Sequence, residues 1–307
     1  MTEQERAPAG IDPTVPSVAR MYDYLLGGKD NFAADREAAA RIIKISPNAK
    51  EISRDNRAFL GRAVRAVAEL GIRQFLDIGT GLPTQENVHQ VAQRANPSSR
   101  VVYVDNDPIV LVHARALLAT TPGTIVVNGD MRDPKAILGH PKITQHLDLS
   151  SPLAVLLVSV LHFIPDDDEA FGIARDIRQA LPSGSHLILS HVTAGGLNGE
   201  DVGKGRAIYR GTTSGGLAPR SREQIASFFE GLELLEPGLV APAVWRADGP
   251  GQLAISGPGA PASSAPSDAS PDNRRARPLP APPAENRCHG CRGGAPAQEP
   301  FWSPVVG

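Results

Sequence analysis

Cysteine is nearly missing from this chain of 307 residues: Cys288 and Cys291 are the only two, and the first 287 residues hold none. Disulfides therefore cannot carry the main fold. Aromatic residues are scarce, at 5% of the composition. No run of about 18 apolar residues occurs, which argues against a membrane-spanning helix. Residues 1–16 carry acids and prolines where a signal peptide needs an apolar core, so a cytoplasmic protein is expected. An excess of either charge is also absent: 31 Lys and Arg face 33 Asp and Glu, for a net charge of −2. That balance builds no overall positive field, which disfavours nucleic acid and anionic membranes as partners. What remains is 41% hydrophobic and 21% charged residues, a globular composition for one large α/β domain or two small ones.

The composition changes near Gly257. Of the 51 residues from 257 to 307, 31 are Pro, Ala, Gly or Ser, and 11 of the chain's 28 prolines fall there. So little apolar surface does not offset the entropy of ordering, and a disordered tail is expected over 257–307. Its Cys288-His289-Gly290-Cys291 offers two zinc ligands where a structural site needs four, so no metal site is expected. The expected division is a flexible N-terminus over 1–15, a folded domain over 16–256 and the tail.

Within the domain, strand and helix signals alternate. Leu60, Val64, Val67 and Ala68 share a helical face within 55–70, and Gly71 is a natural stop. Strands are expected at 74–78, 100–104, 124–127, 153–161, 186–190 and 232–235, with helices at 108–118, 169–181 and 222–229. Another helix should start at a Thr84 cap and bury Val88, Val91, Ala92 and Ala95. Alternating strands and helices imply a parallel sheet with helices on both faces. Before the first strand, 16–50 reads as a helical cap or lid, with Gly27-Gly28 as a hinge and Tyr22, Asp23, Tyr24 and Gly28 on its ligand side.

Ligands bind open parallel sheets beyond the carboxyl ends of the strands. Three successive ends carry acids: Asp77 before Gly79-Thr80-Gly81, Asp105 before Asn106, and Asp130 before Met131. Ser159 and His162 follow the fourth strand, and Ser190 and His191 the fifth. Gly79 and Gly81 let backbone approach a ligand closely. A dinucleotide fingerprint would place Gly or Ala where Thr84 stands, and a pyrophosphate would not favour Asp77 beside it. A cofactor carrying an ammonium and a sulfonium, S-adenosylmethionine, fits better. Asp105 can accept ribose hydroxyls of either cofactor class, so it does not discriminate. Asp130 can accept from an adenine amino group, and the Met131 amide can donate to the ring. Each acid could instead be a turn residue or a helix cap, but their recurrence at three strand ends argues against coincidence.

The residues Pro16-Ser17-Val18-Ala19-Arg20-Met21-Tyr22-Asp23-Tyr24-Leu25-Leu26-Gly27-Gly28-Lys29-Asp30-Asn31-Phe32 and Phe75-Leu76-Asp77-Ile78-Gly79-Thr80-Gly81-Leu82-Pro83-Thr84 resemble an S-adenosyl methyltransferase family of high-GC bacteria, first described as a domain of unknown function. Leu161-His162-Phe163 and Arg220-Ser221-Arg222 match it too, within a resemblance covering about residues 12–248. It implies a Rossmann-like class I methyltransferase, α/β, with a mostly parallel seven-stranded sheet, helices on both faces and an N-terminal helical lid. It places the methionine end of the cofactor by Asp77, Gly79 and Gly81, the ribose by Asp105 and the adenine by Asp130 and Met131. Thr80, Asn106 and Ser159 complete the expected cofactor set. The family's last strand has only 252–256 as a candidate here. The expected reaction is methyl transfer to an acceptor, with a small molecule favoured and His162 the candidate base. A cofactor-binding protein without catalysis and a nicotinamide-dependent oxidoreductase remain as alternatives.

Overall fold

The computed structural model describes residues 7–8, 10–83, 86–118, 121–195, 198–247 and 302–306. Three helices precede the sheet: α1 (Val18–Leu26), α2 (Ala33–Ile45) and α3 (Ala49–Glu69). Then β1 (Gln74–Ile78), α4 (Val88–Ala95), β2 (Arg100–Asp105), α5 (Pro108–Leu117) and β3 (Thr124–Asn128) alternate. Two short helices, α6 (Pro134–Leu138) and α7 (Pro141–His146), lead to β4 (Ala154–Val158). A 3-10 turn (Leu161–Phe163), α8 (Asp167–Ala180), β5 (His186–Val192), α9 (Gly199–Arg210), α10 (Arg222–Ser227) and β6 (Trp302–Val306) follow.

The strand order is β3-β2-β1-β4-β5-β6, parallel except for β6, which runs antiparallel to β5. Alternation along each strand feeds two cores. Leu76, Ile78, Val102, Val104, Val155 and Leu157 pack on one face with α8 and α10. Phe75, Val101, Tyr103, Ala154 and Leu156 pack on the other with α3 and α4. Both faces are covered, which is why β1 is buried along its whole length. Residues 76 and 78 serve the first core, so Asp77 faces the side of α3 and α4. The order reverses between β1 and β4, opening a crevice at their carboxyl ends.

Several expectations change. Six strands form the sheet among the described residues, not seven. The 232–235 segment is no strand: Leu232 and Leu234 pack against one core and Leu235 against the other. The 252–256 candidate lies outside the described residues, as do Cys288 and Cys291 and most of the expected tail. Within the span expected as tail, Trp302–Val306 pairs antiparallel with Val192–Ile188. Aromatic and β-branched residues suit a strand, and Pro304 is tolerated at an edge. The 153–161 run supplies only Ala154–Val158 as strand, because Ser159 takes φ 60° and turns the chain out of the sheet. Thr84 also lies outside the described residues; α4 begins at Val88, with the Asn87 N–H donating to the Gln90 side chain at 2.8 Å.

Candidate active site

A cavity of about 600 Å³ opens over the strand ends and is roofed by α1, α2 and α9. At its floor β1 runs into the Asp77–Gly81 turn. Gly79 has φ 76°, and a Cβ there would run into Val160, so only glycine fits. The Gly79 and Thr80 amides donate to Val104 O at 2.8 and 3.2 Å, pinning the turn to β2. Asp77, Gly79, Thr80 and Gly81 all line the cavity. Burial pushes the Asp77 carboxyl up to about 7, against the pull of Arg57 and with a smaller upward push from Asp105. Thr80 turns its hydroxyl inward to Asp77 O, 3.2 Å away.

Asp105 ends β2. Its two oxygens accept the Gly81 N–H and the Asp107 N–H, each at 2.9 Å, which fixes the carboxylate plane and ties the glycine turn to β2. Burial raises it to about 6 against those hydrogen bonds. Each carboxylate oxygen can accept a second donor, so Asp105 keeps capacity toward the cavity it lines. Asn106 and Met131 also line it. Asp130 does not; it stands beside the cavity, accepting from Asn106 Nδ2 at 3.2 Å and from the Arg132 N–H at 3.0 Å.

The lid contributes Tyr22 and Asp23 but not Tyr24 or Gly28. Tyr24 lies under Lys50, whose Nζ is 5.3 Å from the ring centroid. Gly28 closes a turn onto Asp23, where a Cβ would overlap the carboxylate. Asp23 Oδ2 accepts the Asp30 N–H and Asn31 Nδ2, so the Gly27-Gly28 pair is a tied turn. Tyr22 donates to Ser53 O at 3.0 Å and accepts from Asn56 Nδ2, which also donates to Ser159 Oγ at 2.8 Å. Ser159 lines the cavity with its amide and hydroxyl engaged by Ser190 and Asn56.

His162 lines the cavity but is 1% exposed, and burial, helped by His191 and Arg220, holds its pKa well below the usual imidazole range. Its Nδ1 accepts the Val192 N–H at 3.4 Å. His191 is at about 3, chiefly through burial, and accepts from Arg220 through Nε2 at 3.0 Å. Both imidazoles are neutral at pH 7, and His191 serves as a prop for Arg220.

Sequence reasoning missed Arg57 and Asn56 on α3 and the whole of α9. Arg57 sits outside the apolar stripe that identified its helix, so only its proximity to Asp77 marks it. Glycines at 199, 203 and 205 hid α9, although Asn198 caps Asp201 N–H at 2.8 Å and Glu200 pairs with Lys204 at 2.7 Å.

The residues fit S-adenosylmethionine. A buried, under-neutralised carboxylate on the cavity wall favours a cation and opposes a phosphate, and a second carboxylate one strand away suits a ribose. Residues 4–265 match the model of the S-adenosyl methyltransferase family. A candidate methyltransferase of Thermobifida fusca is 46% identical, with 79% of this chain and 90% of that chain covered at a TM-score of 0.74. A DUF574 family protein of Streptomyces avermitilis is 44% identical, with 77% and 91% covered at a TM-score of 0.72. No curated protein matches. Neither the oxidoreductase nor the non-catalytic alternative is favoured by these matches. No described helix is long and apolar enough to cross a membrane. The chain belongs to the S-adenosyl methyltransferase family and is an S-adenosylmethionine-dependent methyltransferase.

Proposed function

We propose that this protein methylates a small molecule in the cytoplasm, inside the chamber enclosed by α1, α2 and α9. The observation that carries the cofactor half of this reading is Asp77, buried beside the glycine turn with its carboxyl raised to about 7. In this reading Asp77 pairs with the cofactor ammonium, and Arg57 on the facing helix suits the carboxylate beside it. Asp105 accepts from the ribose hydroxyls. Asn106 and Met131 flank the adenine, with Asp130 reaching it from the rim. Gly79, Thr80 and Gly81 supply close backbone approach. When bound, S-adenosylmethionine supplies a methyl group already activated by its sulfonium.

The protein's own task is then alignment and exclusion of water. Orientation alone contributes up to roughly 7–11 kcal/mol in well-positioned systems. Tyr22, Asn56 and Ser159 form a hydrogen-bonded line from lid to sheet that fixes one wall. His162 suits a neutral positioning role better than that of a base. Burial weakens its basicity, and with Nδ1 accepting from Val192 the ring hydrogen falls to Nε2.

Calorimetric titration with S-adenosylhomocysteine tests the assignment. Asp105→Ala should weaken binding by about 1.5–3 kcal/mol, the value of a charge-assisted hydrogen bond. Equal affinity would place the ribose elsewhere.

A further inference from the structure

Beyond β4 and β5 the cavity has a different chemistry. Ile42 and Ile45 of α2, Phe163, and Val202, Gly205 and Tyr209 of α9 line it. Ile208 of α9 is buried with Met21, Leu25 and Ile42, so the roof is one apolar body packed apart from the sheet. Charged groups that reach the cavity away from the strand ends are already engaged. Arg20 is held by Asp35 at 2.7 Å, Asp12 by the Thr14 amide and hydroxyl, Asp23 by Asn31 and the Asp30 amide, and Asp201 by Asn198 Nδ2 at 2.9 Å. The Tyr209 hydroxyl is the contrast: it has no hydrogen-bond partner among the described residues. Burial alone raises its pKa to about 12, so it presents a neutral O–H. A charged guest would leave water here for an apolar wall whose charged groups already have their hydrogen bonds committed within the protein, which is costly. A neutral guest would lose little and could satisfy Tyr209.

We propose that Tyr209 binds the methyl acceptor, and that the acceptor is a compact, uncharged, mostly apolar molecule with a hydroxyl or carbonyl oxygen. This rests on the strand ends holding the cofactor. The test uses protein saturated with S-adenosylhomocysteine and three probes of one size: benzyl alcohol, benzylammonium and benzoate, titrated by NMR at pH 7. Benzyl alcohol should bind at least fivefold more tightly than either ion. Tyr209→Phe should weaken benzyl alcohol at least threefold and leave S-adenosylhomocysteine affinity within twofold. Gly205→Leu provides a second arm. A Cβ there meets only Leu217 Cδ2, at 4.0 Å, so the longer side chain has room to fill the chamber and should abolish probe binding. Equal binding of an ion, or undiminished benzyl alcohol binding by either variant, would overturn the proposal. Failure of the unaltered protein to bind S-adenosylhomocysteine would overturn the cofactor reading and this inference with it.

Discussion

The lid and the strand ends bury carboxylates in opposite ways. Asp35 in the lid is fully buried and accepts from the Ser17 N–H, the Phe32 N–H and Arg20 Nε at 2.7–2.8 Å. Asp77 is 5% exposed, yet its burial is offset only in part by Arg57, and its carboxyl sits near 7. One acid is spent on structure: it ties α1 to α2. The other is held in reserve at a cost in stability, as functional groups often are. The contrast separates a buried charge that is fully paired within the fold from one that the fold leaves only partly neutralised.

Removing each acid should therefore move stability in opposite directions. Asp35→Ala leaves the buried Arg20 guanidinium without its partner and should cost about 3–5 kcal/mol in urea unfolding. A loss below about 1 kcal/mol would erase the contrast, since exposed pairs are worth that little. Asp77→Asn should do the reverse. The folded-state value near 7 lies above the ordinary 3.8, so the acid favours folding below about 4 and loses that contribution as pH rises through 7. Replacing it should stabilise the cofactor-free protein at pH 8 by on the order of 2–4 kcal/mol, fading towards pH 4, while weakening S-adenosylhomocysteine binding. Destabilisation at pH 8 would show that Asp77 is paired after all. The smallest effect concerns the joint between the two regions. Ser17 Oγ donates to Asp107 Oδ2 at 2.7 Å, and Asp107 also caps α5 beside Asp105. Ser17→Ala should cost about 0.5–1.5 kcal/mol in the same unfolding measurement. No change would mean the lid is held without this contact.

The same division explains what the sequence disclosed. Strand-end chemistry is local: Asp77, Gly79 and Gly81 lie within five residues, and an apolar run identifies the strand before them. Asp105 was legible for the same reason. The opposite wall assembles from α2 and α3 and, more than a hundred residues further on, α9, and no local pattern joins Asn56 to Ser159 or Ile42 to Ile208. Asp130 and Tyr24 show the limit of reading by position. Both sit next to lining residues, but Asp130 turns to Asn106 and Arg132, and Tyr24 turns to the lid core. The edge strand was hidden for a different reason: the strand formers Trp302, Val305 and Val306 are swamped by the Pro, Ala and Gly around them in any compositional count.

If Asp77 pairs with the cofactor ammonium as proposed, cofactor capture becomes a proton-exchange event. Burial raises this carboxyl to about 7, so near neutral pH the cofactor-free protein carries a proton on it in part of its molecules. Pairing with an ammonium requires that proton to leave, so it passes to the buffer. The heat of binding at pH 7 then depends on the buffer's own ionisation enthalpy, differing between phosphate and Tris and converging well above pH 8. In that reading the methyl donor and the proton compete for one oxygen pair, and local acidity would set how readily the enzyme loads.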